Sequence, residues 1–222
     1  MPGTPALSSD AVRLPSLVAT DLACRRGNRL VFKSVSFALR AGEARWLRGR
    51  NGCGKTSLLR MVAGLALPAH GELTWDGLPV RHAPGYSARI TYVAHANALK
   101  EDLTVAEALT FLARLHDRPD DPGSIALALE RIGVAARRDA PVRTLSQGQR
   151  RRASLARLAL ERAAALWILD EPYDALDLDG IERLDGLLHE HLARGGSVLL
   201  TSHQPPSTGA PAMAEFDLGV FA

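Results

Sequence analysis

The stretch Gly49-Arg50-Asn51-Gly52-Cys53-Gly54-Lys55-Thr56-Ser57 decides how this chain is read. It matches GxxxxGK[ST], a loop built to hold polyphosphate. Such a ligand needs many converging donors, and backbone N–H groups approach it closely only where side chains are small. Gly49, Gly52 and Gly54 permit that wrap, with Arg50, Asn51 and Cys53 between them. The helix expected from about Lys55 to Val62 would point its positive end at the phosphates. Lys55 is expected to reach the β and γ oxygens, Thr56 to offer its hydroxyl to Mg²⁺, and Ser57 closes the motif. Cys53 is either an accessible thiol in that loop or a small neutral stand-in for alanine.

Working outward, Val35 to Leu39 and Glu43 to Leu47 read as strands joined by a turn at Ala41-Gly42. Glu72 to Trp75 and Ile90 to Val93 read as further strands. From about 97 to 165 the chain turns Ala-, Leu- and Arg-rich. Thr104-Val-Ala-Glu107 is a capping box that opens a helix with Val105, Ala108, Leu109, Leu112 and Leu115 on one side. A break at Arg118 to Gly123 precedes a second helix, Ser124 to Ile132, which Gly133 ends. Ala165 to Leu169 is a continuous apolar run, the mark of a buried parallel strand. Ile181, Leu184, Leu187, Leu188 and Leu192 form a helical stripe, and Ser197 to Thr201 is a second buried strand. Strands alternating with helices imply a mostly parallel sheet.

Composition narrows the classes. The chain has 222 residues, 46% hydrophobic and 23% charged, which excludes collagen and a disordered chain. The apolar stretches Met61 to Ala69 and Ala163 to Leu169 fall short of the ~20 residues that span a bilayer. Pro2 to Ser16 has no apolar signal core and reads as a loose tail. Net charge is +3, and apart from Lys33, Lys55 and Lys100 every basic residue is arginine. Those arginines are spread along the chain, a compositional bias rather than a nucleic-acid footprint. Cys24 and Cys53 make neither a metal-ligand pattern nor a disulfide framework, so a reduced cytosolic setting is expected.

Two further motifs belong with the loop. Asp170-Glu171 ends the apolar strand, so both carboxylates emerge at the edge where ligands bind in such sheets. Asp170 is suited to hold Mg²⁺ through its water shell, and Glu171 to polarise an attacking water. In Leu145-Ser146-Gln147-Gly148-Gln149 the serine and Gln149 form a capping box. Capping needs no glycine at 148, where glycine costs about 1 kcal/mol. Its presence implies a close approach to the helix start, for which a γ-phosphate is the expected partner.

With these residues in place, the chain resembles the nucleotide-binding domain of ABC ATPases over roughly residues 17 to 205. The resemblance implies an α/β, RecA-like P-loop fold: a mostly parallel core, an N-terminal antiparallel β region and an inserted helical subdomain. A single domain would span 17–222 after a flexible tail at 1–16, with the insertion at 97–165. It also implies ATP with Mg²⁺ and a head-to-tail dimer sandwiching two ATP molecules, each held by Lys55 of one copy and Ser146 of the other. Asp177 matches the dimer-contact loop, and His203 the histidine that contacts the γ-phosphate beside the catalytic Glu171. Two positions depart from the pattern. Arg26 stands where an adenine-stacking aromatic is usual, and His95 where a glutamine is usual, which makes that loop sensitive to pH.

His95, Gly71-Glu-Leu-Thr-Trp75-Asp-Gly77, Leu166-Trp-Ile-Leu-Asp-Glu-Pro-Tyr173 and Ser202-His-Gln-Pro205 resemble the ATP-binding subunits of cytochrome c maturation systems. That resemblance implies membrane partners of the CcmB and CcmC type at the cytoplasmic face of a bacterial inner membrane. It implies a link to haem export or release of a haem-loaded chaperone, with no haem bound by this chain and no nucleic-acid partner. The alternatives are the ATPase of another transporter or a soluble ABC ATPase of cofactor assembly. A P-loop small-molecule kinase would leave the 145–149 motif and His203 unexplained. A DNA-repair ATPase would need a far longer insertion between Lys55 and Ser146, and an inert nucleotide sensor would not need Glu171 and His203.

Overall fold

Two sheets form, one of half-buried strands and one whose central strands are buried at every position. The computed structural model describes residues 16–162 and 166–222. Residues 1–15 of the expected tail, and Ala163 to Ala165 at the end of the expected insertion, lie outside the described residues; Ser16 already belongs to a strand. The first sheet is antiparallel. It contains β1 (Ser16–Arg26), β2 (Arg29–Arg40), β4 (His70–Trp75) and β5 (Leu78–Pro79), in the order β2-β1-β4-β5. Between them come β3 (Ala44–Arg48) and α1 (Lys55–Val62).

The second sheet is parallel throughout, in the order β6-β7-β8-β3-β9. Its other strands are β6 (Ile90–Val93), β7 (Leu166–Leu169), β8 (Ser197–Thr201) and β9 (Ala214–Asp217). Alternate residues of β7 face opposite cores, as the pleat requires. Leu166 and Ile168 join the cluster around α1 and the antiparallel sheet. Trp167 and Leu169 join the cluster of α2 (Val105–Leu115), α3 (Pro122–Arg131), α4 (Gln147–Leu155) and α5 (Leu178–Ala193).

Val35 to Leu39 and Glu43 to Leu47 do not pair with each other. The turn, with Gly42 at φ 77°, carries the chain from one sheet to the other. β1 was not legible because bulges near Asp21, at φ 49°, break its alternation. The helix read from Ser124 begins at Pro122: Asp121 caps it by accepting from Ser124 N at 2.9 Å, and proline suits the first helical turn. The box at Thr104 and Glu107 forms as expected.

Candidate active site

A parallel sheet sends the ends of all its strands to one edge. Here β3 delivers Gly49, β6 delivers His95, β7 delivers Asp170 and Glu171, and β8 delivers His203. Lys55, Thr56, His95, Asp170, Glu171 and His203 line one cavity of about 430 Å³, together with Asn51, Gly52, Gly54, Arg26, Arg29 and Val31.

The loop keeps backbone, not side chain, toward this space. Gly49, Gly52 and Gly54 have φ of 139°, 84° and 105°, where an L side chain is strained. A Cβ on Gly54 would also strike Phe32 and Val31 at 2.7 Å. Gly54 caps α1 without a side-chain bond, so the N–H groups of its first turn stay open to an anion. Lys55 Nζ donates to Gly49 O at 2.8 Å, which holds the ammonium over the loop. Ser57 is turned inward and accepts from Arg26 Nη2 at 2.8 Å. Cys53 is buried, its sulfur packed where a Gly49 side chain would lie. Of the two roles open to it, the small stand-in fits. Arg50 lines a neighbouring cleft behind the loop with Trp46, Ser202 and His203.

The carboxylates are held by a network that sequence reading missed. The fully buried Thr201 hydroxyl donates to Asp170 Oδ1 at 2.9 Å and accepts from Glu171 N at 2.8 Å. Its residue type and strand were legible, but nothing in the sequence aims that hydroxyl. His203 N donates to Glu171 Oε2 at 2.9 Å, and His203 Nε2 lies 3.6 Å from Oε1. Burial raises the Glu171 carboxyl above its ordinary value, against the pull of His203. His95 Nδ1 lies 3.6 Å from Asp174 Oδ2. Thr56 and Asp170 offer hard oxygen donors of the kind Mg²⁺ takes beside phosphate.

Leu145, Ser146, Gln147, Gly148 and Gln149 stand apart from that cavity. Ser146 and Gln149 cap each other at the start of α4, as expected, while Leu145 is buried and Gln147 exposed. Ser146, Gly148 and Gln149 line a second cleft with Gly133, Arg152, Ala175 and Asp177, and it shares no residue with the first. The neighbour that a Gly148 side chain would strike is the chain's own Ala175 carbonyl, at 2.6 Å. The glycine is thus explained within one chain, and by itself no longer argues for a phosphate. Asp177 caps α5 by accepting from Gly180 N at 3.0 Å and pairs with Arg152. Other arginines pair on the surface, such as Arg131 with Glu190 at 2.6 Å.

The ABC transporter family model matches residues 32–174, which hold the phosphate loop, the 145–149 motif and Asp170-Glu171. The chain belongs to the ABC transporter family. This ABC chain is 42% identical over 206 residues to the Nitrosospira multiformis "Cytochrome c biogenesis ATP-binding export protein CcmA", covering 92% of this chain and 100% of that one. It is 47% identical to CcmA 1 of Cupriavidus metallidurans, covering 86% of this chain and 92% of that one. A solved ATP-binding subunit of an ABC transporter superposes with a TM-score of 0.75 at 26% identity, over 84% of this chain and 79% of that one. The ABC chain is therefore an ATP-binding ATPase with the P-loop α/β fold. No helix among the described residues is long and apolar enough to cross a membrane.

Proposed function

We propose that this chain is the ATP-hydrolysing subunit of a cytochrome c biogenesis export complex, and that it works as a head-to-tail dimer. The observation that supports the reading is that the two motif sets proposed to meet phosphate lie on separate clefts. Lys55, Asp170, Glu171 and His203 share one cavity, while Ser146, Gly148 and Asp177 lie on another. One copy would supply the cradle and its partner the serine-tipped helix.

In this mechanism the open N–H groups of the loop and Lys55 grip the β and γ oxygens of ATP. Thr56 and Asp170 would hold Mg²⁺, which supplies charge neutralisation at the phosphates. Glu171, fixed by the His203 amide, orients the attacking water and takes its proton as the water oxygen bonds phosphorus and ADP leaves. The His203 imidazole contacts the γ-phosphate. Closure on Ser146 of the partner excludes bulk water, and loss of the γ-phosphate loosens the pair.

The single domain with its helical insertion then carries that motion to membrane subunits of the CcmB and CcmC type. The setting is the cytoplasmic face of a bacterial inner membrane. An apolar cleft with exposed Leu65 and Leu67 beside Pro79 and Val80 supports a protein partner at this surface. The names of the relatives favour export linked to cytochrome c biogenesis over another transporter.

The test has two parts. Glu171→Gln should form an ATP-dependent dimer by light scattering, and a variant that stays monomeric with ATP would contradict the sandwich. The tagged chain should co-purify from detergent-extracted membranes with CcmB-type and CcmC-type subunits; recovery with an unrelated transporter would reassign the system.

A further inference from the structure

We propose that Arg151 is a positioning residue for ATP hydrolysis, tying the Ser146 helix to both loops that carry His95 and Glu171. This rests on the hydrolytic reading above and adds a residue to it.

Arg151 lies in α4, one turn past Ser146, yet its side chain leaves the helical region and enters the edge of the parallel sheet. It is 3% exposed. Its guanidinium donates to two separate loops. Nη1 reaches Ala94 O at 3.0 Å, His95 O at 3.5 Å and Asn97 Oδ1 at 3.3 Å. Nη2 reaches Asp170 O at 2.8 Å and Glu171 O at 2.6 Å, and Nε reaches Pro172 O at 3.4 Å. The carboxylates of Asp174, Asp170 and Glu171 surround the charge it brings inside.

Two features make this more than packing. Glu171 has φ 49°, a conformation that side chains adopt only when their surroundings over-determine it. Arg151 grips the carbonyl on each side of that strained residue, and Thr201 grips its amide. The second feature is geometric. A planar fork can bond two loops at once, so a shift of α4 is passed to the His95 loop and to Glu171 together. A lysine could keep the charge but, as a single point, would hold one loop at a time.

Arg151→Ala and Arg151→Lys would be compared with the wild-type dimer. The readouts are ATP affinity by fluorescent-nucleotide displacement, steady-state kcat and KM, and amide hydrogen exchange. The expected result for Arg151→Ala is a fall in kcat of about 10²-fold with KM changed less than about threefold, the pattern of a misplaced catalytic group. Arg151→Lys should recover part of kcat. Both variants should exchange faster at 94–97 and 171–173 than wild type. Unchanged kcat in either folded variant would overturn the proposal, as would affinity and turnover falling in parallel with lysine no better than alanine. If Arg151→Ala does not fold, Arg151→Lys decides by the same readouts. If wild type itself fails to turn over ATP, the hydrolytic reading fails. The exchange data still decide the tie, and unchanged protection at 94–97 in Arg151→Lys would sink it.

Discussion

Thr201→Val tests whether the two carboxylates are held in place before any ligand arrives. Valine matches threonine in shape, so the change removes a hydroxyl and little else. That hydroxyl is fully buried and makes one bond to Asp170 Oδ1 and one from Glu171 N. Its loss leaves a buried carboxylate oxygen short of a donor and a buried amide without its acceptor. Each such group costs about 1–3 kcal/mol, and more for the charged one, so about 3–5 kcal/mol is expected in total. For a chain of this size each kcal/mol moves the melting temperature by about 2–4 °C, which gives a drop of about 6–20 °C. Thr201→Ser keeps both bonds and loses a methyl, so it should cost only about 1 kcal/mol. Differential scanning calorimetry at neutral pH reads both. A valine variant that melts within about 2 °C of wild type, or a serine variant less stable than the valine one, refutes the network.

The remaining predictions follow from the same geometry. Lys55→Ala should abolish turnover measured by phosphate release, because no other lysine lines the cavity; normal activity ends the phosphate-loop assignment. Because burial raises the Glu171 carboxyl above 4.5, the acid limb of turnover should lie above the ordinary glutamate range. The folded state also binds that proton more tightly than the unfolded state. Glu171 therefore costs stability as pH rises from the unfolded value through the folded one, and Glu171→Gln should gain on wild type as pH rises from the ordinary glutamate value upward in urea titrations. Gly148→Val should displace the Ala175 loop and lower stability with no nucleotide present, whereas a purely ligand-driven need for glycine predicts unchanged apo stability. Cys53 should react slowly with aromatic disulfides in the folded chain, and a fast, ATP-protected reaction would show that the loop opens more than its packing implies.

What the sequence made legible is what local chemistry dictates. The glycines of the phosphate loop, the apolar run into Asp170-Glu171 and the boxes at Thr104 and Ser146 each announce their geometry within a few residues, and each stands where it was expected. β1 escaped because bulges scramble its alternation, and β9 because it is four half-exposed residues paired to a strand far back in the chain. The site was legible as a set of motifs but not as a network. Thr201, Arg29, Val31 and Arg151 enter it only through contacts between distant segments. Gly148 was legible as a place of close approach, but not the Ala175 carbonyl that makes one within the chain, because a sequence does not show which carbonyl a turn will present.

The placement of Arg152 fixes where one copy holds its own Ser146. From α4, one turn beyond Gly148, it bonds Asp177 and reaches Asp179 at 2.6 Å, while its Nη1 also meets Ile132 O at 3.3 Å. The Ala175 carbonyl closes on Gly148 from the same side. Ser146 and Asp177 therefore belong to one braced piece, on the cleft away from Lys55. Within one chain Ser146 and the Lys55 cradle line separate clefts, and Arg151 and Arg152 tie the start of α4 to the segment from Asp170 to Asp179. In the proposed dimer a second copy would bring its Ser146 piece to the cradle with these intrachain contacts intact.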